Sequence, residues 1–199
     1  MPRLASRGDL DALRAKLNEG RDPQRRQISI CMGTGCKACG GEALLAAFET
    51  ALEDAGLADE VEVVMTGCHG FCERGALLVI RPEEIFYEHV TAKQVPEIVE
   101  QTIKNGEVIE TLLYAMPVVG KGRRIKRGDT CRTESEIPFY KHQERLILGL
   151  NGVIDPTRIE DYIAEGGYGA LAKVLVNACR DLEAWRLQRV FDPSGIYDG

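Results

Sequence analysis

Two pairs of cysteines carry the chemistry this sequence offers: Cys31-Met-Gly-Thr-Gly-Cys36 and Cys68-His-Gly-Phe-Cys72. Thiolates are soft anionic ligands, and four of them brought together can hold a [2Fe–2S] cluster, the centre of a one-electron carrier. Each pair follows a short apolar run, and a helix-like segment separates the two. Glycines flank the cysteines: Gly33 and Gly35 in the first stretch, Gly67, Gly70 and Gly75 in the second. Glycine lets a backbone pass close to inorganic sulfide and aim N–H groups at sulfur. Cys31, Cys36, Cys68 and Cys72 are therefore the candidate cofactor and metal ligands, and no catalytic residue is assigned.

Three other readings compete. Cys36-Lys-Ala-Cys39 is a C-x2-C that could join Cys68 and Cys72 in a tetrahedral zinc site, making a zinc-stabilised interaction module without redox activity. That reading leaves Cys31 idle beside its glycines. A redox dithiol of Cys36 and Cys39 leaves the second pair unexplained. A catalytic cysteine needs a histidine partner that the sequence does not display. His69 lies between two ligands, but a Rieske-type centre needs two histidines, and neither His89 nor His142 stands in a comparable loop. His69 is expected beside the site or exposed, and Glu73 and Arg74 solvated.

Composition narrows the function classes. The 199 residues are 44% hydrophobic and 28% charged, enough for a core in a water-soluble domain. A net charge of −6 argues against nucleic acid as the main partner. No apolar run approaches the ~18 residues of a membrane span. The opening residues have no apolar signal core, so a cytoplasmic location is expected. In a reducing compartment seven cysteines point to metal or redox chemistry rather than a disulfide framework, with Cys39, Cys131 and Cys179 as bystanders.

The positioning elements follow from periodicity. Apolar residues 10, 13 and 17 predict a helix over 9–19, closed by Gly20. Ile28–Ile30 leads into Cys31 as a strand. Gly40-Gly41 opens a helix with an apolar stripe of Ala43, Leu44, Ala47, Phe48, Ala51, Leu52 and Ala55, capped near Gly56. Strands are predicted at 61–65, 76–80 and 85–87. A capping box at Thr91–Gln94 starts a helix to Lys104, stopped by Asn105-Gly106. A helical crossover makes the first two strands parallel, and a short connection makes the later pair a hairpin. The fold class is thus α/β, a small sandwich of roughly thioredoxin-like shape. Beyond it come an extended apolar stretch at 112–119 and a basic run from Gly120 to Arg127, read as a solvated linker or as an arm lying on an acidic partner. Asp155-Pro156 predicts a helix start. Further helices are expected at 168–178 and 180–189, then a turn-rich end at 192–195.

The two cysteine motifs resemble those of the thioredoxin-like [2Fe–2S] ferredoxin family, which includes the small iron–sulfur subunit of respiratory complex I. The resemblance covers residues 26–114 and maps the family's ligands onto Cys31, Cys36, Cys68 and Cys72. A second likeness lies in Phe139–Leu148, Gly152–Pro156 and Tyr162–Lys173, which look like the entry to the flavoprotein subunit of NADH dehydrogenase. Together they imply an electron-transfer subunit or fragment of an NAD-linked oxidoreductase of the NADH dehydrogenase, hydrogenase or formate dehydrogenase type. Its partners would be flavoprotein and iron–sulfur subunits. The family's Arg/Gly-rich FMN loop and its later [4Fe–4S] cysteines are missing, so FMN and NAD are not expected on this chain alone, which would not oxidise NADH by itself. The expected organisation is an N-terminal helix (1–25), the ferredoxin domain (26–114), a basic linker (115–137) and a mainly helical, incomplete flavoprotein-like segment (138–199). That last segment is expected to be a truncation, a split subunit or a piece completed by another chain.

Overall fold

Strand β1 (Arg26–Cys31) alternates its side chains between two faces, and from Ile28 to Cys31 both faces are buried. This arrangement, found in a computed structural model that describes residues 4, 6–22, 24–119 and 125–177, organises everything around the cysteines. Helices α2 (Thr34–Ala38) and α3 (Gly41–Asp54) follow β1 and lead to β2 (Val61–Thr66). β2 lies parallel to β1, with Arg26 opposite Val61 and Cys31 opposite Thr66. A hairpin of β3 (Leu78–Arg81) and β4 (Ile85–Tyr87) adds two antiparallel strands on the other side. The sheet order is β2-β1-β3-β4.

One face carries Ile28, Ile30, Leu78, Ile80, Ile85 and Tyr87. It is covered by Leu44, Phe48 and Leu52, the large residues of the predicted α3 stripe, whose Ala43 is exposed, and by Val95, Ile98, Val99 and Ile103. Those last four belong to a composite helix. After a 3-10 turn at Ala92–Gln94 come α4 (Val95–Glu97) and a π-helical continuation, Ile98–Lys104. The Thr91–Gln94 capping box forms as expected. Tyr87 is wholly buried here, its hydroxyl 2.9 Å from Thr102 Oγ1 and accepting from the Ile109 N–H at 2.9 Å.

The opposite face carries Cys31, Val79 and Phe86, and a different part of the chain covers it: Tyr114, Cys131, Ile137 and Tyr140. The stretch expected to be a linker is a β-hairpin, β5 (Tyr114–Val119) with β6 (Ile125–Cys131). Its base is fastened to the sheet edge. Tyr87 bridges to Leu113, Ile85 to Thr133, and the Phe86 N–H donates to the Arg132 carbonyl at 2.8 Å. β4 would otherwise present unpaired edge groups, so the hairpin answers a backbone requirement as well as an apolar one. Residues 120–124 of the basic run lie outside the described residues. Beyond the hairpin, a capped 3-10 turn at Glu134–Glu136 leads into α5 (Pro138–Lys141).

The chain divides into two compact units, Asp22–Thr157 and the paired segments Met1–Arg21 and Arg158–Gly199. These limits differ from the boundaries expected at 25, 114 and 137. Residues 115–157 stay with the sheet because they close its second face. The other unit holds α1 (Arg7–Glu19), capped by a reciprocal Ser6–Asp9 box, and α6 (Ile159–Ala164). Donors of the first helix satisfy carbonyls at and beyond the end of the second: Arg14 Nε reaches Ile163 O at 3.0 Å and Asn18 Nδ2 reaches Ala164 O at 3.3 Å. α6 starts later than predicted. Asp155 instead accepts from the Thr157 N–H at 2.8 Å, an Asx turn rather than a helix cap. Residues 169–177 are helical. Cys179, the helix expected at 180–189 and the turn at 192–195 fall outside the described residues. No described helix is long and apolar enough to cross a membrane.

The buried Tyr87 hydroxyl gives a direct test of the first core. Tyr87→Phe leaves the Ile109 N–H and the Thr102 hydroxyl without their partner. It should lower unfolding free energy by about 1–3 kcal/mol in urea melts, with an unchanged m-value.

Candidate metal centre

Parallel pairing of β1 and β2 sends both cysteine segments off the same edge of the sheet. Cys31 is the last residue of β1 and Cys68 lies two residues past the end of β2. Cys36 is carried by α2, a short helix the sequence reading treated as loop, and Cys72 opens a 3-10 turn at Cys72–Arg74. Cys31 and Cys36 are buried, Cys68 is half-buried and Cys72 is exposed.

The sulfurs gather by twos. Cys68 Sγ and Cys72 Sγ are 3.7 Å apart, and the buried Cys31 and Cys36 thiols strongly influence each other's ionisation. Two thiolates on one tetrahedral metal with bonds of about 2.3 Å stand about 3.8 Å apart, so the second pair is already spaced to share an ion. The two pairs also feel each other: charge on Cys31 opposes ionisation of Cys68, and charge on Cys72 opposes that of Cys36. Among the described residues no three His, Cys, Asp or Glu side chains gather tightly enough for a single ion. A two-iron cluster takes two thiolates on each iron, which two linked pairs of thiols can supply. Cys39, required by the zinc alternative, is exposed just past α2.

Backbone amides point at the sulfurs. The Gly70 N–H donates to Cys68 Sγ at 3.3 Å, while the amides of His69 and Gly33 favour the Cys31 thiolate and that of Leu77 the Cys36 thiolate. They favour the thiolates, but neighbouring thiols and burial decide the net shifts. The neighbouring Cys36 thiol holds the Cys31 thiol down at about 5 against the cost of burial, and the His69 and Gly33 amides add to it. Cys36 moves the opposite way, because the neighbouring Cys31, its burial and the adjacent charge all favour its neutral form. Burial likewise pushes Cys68 up. A dense group of thiols that resists full ionisation on its own calls for a cation to complete it.

Glycine makes this density possible. A Cβ on Gly33 would lie 2.8 Å from Cys68 Cβ and 3.0 Å from its sulfur. One on Gly35 would lie 3.0 Å from Cys72 Cβ, and one on Gly75 3.1 Å from Cys36 Sγ. Each of the three stands where the loops close on a cysteine.

Several neighbours were not legible in the sequence. Phe71, between Cys68 and Cys72, is buried and stacks flat on Phe139, with centroids 4.6 Å apart. Tyr114 and Tyr140 pack around it at 5.5 Å each. Arg74, expected in solvent, lies over the Tyr114 ring at 5.2 Å, while Glu73 is exposed as expected. His69 is not exposed but wholly buried. Its Nε2 is 3.0 Å from Thr66 Oγ1, and its Nδ1 is 3.7 Å from Glu134 Oε2. Arg145 holds the other carboxylate oxygen at 3.1 Å. Burial alone would raise the Glu134 carboxyl, but His69 and then Arg145 outweigh it and bring it down.

Comparison with known proteins falls on this region. Residues 19–103 match the family described as thioredoxin-like [2Fe-2S] ferredoxin. The chain is 46% identical over 65 residues to a 2Fe-2S ferredoxin of Clostridium pasteurianum, covering 33% of this chain and 64% of that protein. It is 36% identical over 61 residues to a 2Fe-2S ferredoxin of Aquifex aeolicus, covering 31% and 50%. It therefore spans between half and two thirds of these relatives' length. The solved thioredoxin-like [2Fe-2S] ferredoxin of Aquifex aeolicus aligns with a TM-score of 0.43 at 25% identity, over 47% of this chain and 99% of that one.

The close approach at Gly33 is testable by itself, since its φ of −60° suits any residue. Gly33→Ala should cost about 1–3 kcal/mol through the clash with Cys68, read as a lowered Tm. Gly20→Ala, where a Cβ meets nothing within 4 Å, should not.

Proposed function

We propose, taking the thioredoxin-like [2Fe-2S] ferredoxin domain at residues 19–103 as the premise, that this chain carries single electrons through a [2Fe–2S] cluster bound by Cys31, Cys36, Cys68 and Cys72. The observation that carries the proposal is the meeting of two thiol pairs at one end of parallel strands, with glycines where the loops close on Cys68, Cys72 and Cys36 and the Gly70 N–H on Cys68. Such a cluster supplies a one-electron couple. The chain's own part is to hold four thiolates in place, to donate N–H groups to them, and to keep water from the Cys31 and Cys36 side. Amides on the sulfurs favour the more negative, reduced state, and burial of two of the ligands opposes it. The potential is set between these two.

The wider setting rests on the sequence likeness of segments within residues 139–173 to the entry of a flavoprotein subunit. On that reading the chain works in the cytoplasm as one component of an NAD-linked oxidoreductase of the NADH dehydrogenase, hydrogenase or formate dehydrogenase type. It exchanges electrons with flavoprotein and iron–sulfur partners and does not itself oxidise NADH. The exposed Cys72 and half-buried Cys68 give the partner its side of approach.

EPR on anaerobically purified chain tests the central claim. The oxidised sample should be silent, and dithionite should raise an S = 1/2 signal of about one spin per chain. Absence of iron and sulfide after reconstitution would sink it. Cys31→Ser should abolish the cluster or replace its spectrum, whereas Cys39→Ser should leave both iron content and spectrum as they are. The reverse pattern, with zinc in place of iron, would establish the structural zinc module instead.

A further inference from the structure

His69 stands beside one candidate ligand and touches another, and residues far along the chain enclose its ring. Its backbone amide favours the Cys31 thiolate, while its ring is wholly buried between Thr66 and Glu134. On one side lies Thr66, whose hydroxyl donates to the Ile30 carbonyl at 3.2 Å; its oxygen is left to receive His69 Nε2–H. On the other side lies the Glu134 carboxylate, itself held by Arg145. Gly152 lies over the ring: a Cβ there would stand 3.0 Å from Cε1, 3.2 Å from Nδ1 and 3.3 Å from Nε2. Gly152 is kept in place by Arg81, whose guanidinium donates to its carbonyl at 3.2 Å and to Ser29 Oγ at 2.5 Å. The neighbouring Asn151 crosses Gly67 so closely that a Cβ on that glycine would meet the Asn151 carbonyl at 3.0 Å.

We propose that Glu134 and Gly152 are positioning residues for the metal centre: they clamp the His69 ring and so hold the His69 N–H on the Cys31 sulfur. Both lie beyond the matched stretch, residues 19–103. The ligand segment between β2 and Cys72 has three glycines' worth of freedom or near-freedom around it, Gly67 and Gly70 within and Gly75 after. A ring fixed on three sides removes that freedom at the one residue whose amide serves a buried sulfur. The inference rests on the proposed cluster for its redox consequence, and on the protein alone for its structural one.

Two readouts test it on the purified chain. The first is hydrogen–deuterium exchange of the peptide spanning residues 67–71, followed by mass spectrometry. Gly152→Ala and Glu134→Ala should speed that exchange about tenfold. Glu134→Gln, which keeps the side chain's shape and one acceptor oxygen for Arg145, should restore most of the protection, and Glu144→Gln, at an exposed position, should change nothing. The second is the midpoint potential of cluster-loaded chain, followed by EPR. Loss of an N–H···S bond should move it to more negative values in the two alanine variants at unchanged iron content, with altered g-values. Wild-type exchange in both alanine variants would overturn the proposal. So would faster exchange with an unmoved potential, because the amide would then be independent of the clamp. Should Gly152→Ala fail to fold, the Glu134 pair decides. A wild-type chain that binds no iron refutes the proposed function, and the exchange readout still decides the clamp.

Discussion

The parallel register between β1 and β2 is the constraint on which the site depends. With Cys31 opposite Thr66, the chain leaves both strands at one edge, and the two thiol pairs must share the space beyond it. A helical crossover is the ordinary way to make two neighbouring strands parallel, and α3 supplies it while burying Leu44, Phe48 and Leu52 on one face. The crossover thus closes the core and aligns the ligands in one step. The glycines then settle how tightly the two loops meet, since Gly33, Gly35 and Gly75 each leave out the Cβ that would collide with a cysteine.

The second face of the sheet has its own logic. Its central residues, Cys31, Val79 and Phe86, would be wet if the chain ended with the composite helix. The β5–β6 hairpin and α5 cover them and bring in Tyr114 and Tyr140, between which Phe71 inserts. Aromatic packing of this kind is worth more than its buried area alone. It anchors the centre of the Cys68–Cys72 loop, whose flanking residues would otherwise have little apolar surface to bury. Burial on this face and order in the ligand loop are therefore one property.

Much of this was legible from residue patterns, for reasons that also explain what was not. The strands through Ile28, Val63 and Ile85 and the helix through Leu44 and Phe48 were read from local periodicity, which is a direct image of one buried face. The Thr91–Gln94 box and the left-handed Gly40 marked helix starts by local chemistry. α2 was missed because Thr34-Gly-Cys-Lys-Ala contains a poor helix former and is held by its place between two ligands. Asp155-Pro156 misled because the same side chain serves a helix cap and an Asx turn. The burial of His69 and the docking of Arg74 depend on Glu134, Gly152 and Tyr114, partners remote in sequence that no local pattern reports. The stretch 115–131 was taken for a linker because its charges were read without the sheet edge it completes. As for the site, the four thiols and their glycines were visible as a motif, whereas their enclosure was not.

Exposure across the four thiols is graded. Cys31 and Cys36 are sealed behind β3, Phe71 and the tyrosines, Cys68 is intermediate, and Cys72 faces water. The centre consequently has a front and a back. Dioxygen, chelators and alkylating reagents all meet the Cys72 side first, so attack on the four thiols would begin there. The protein is thereby directional in its vulnerability, and a partner seated over Cys72 would shield the site at the same spot where it collects or delivers charge.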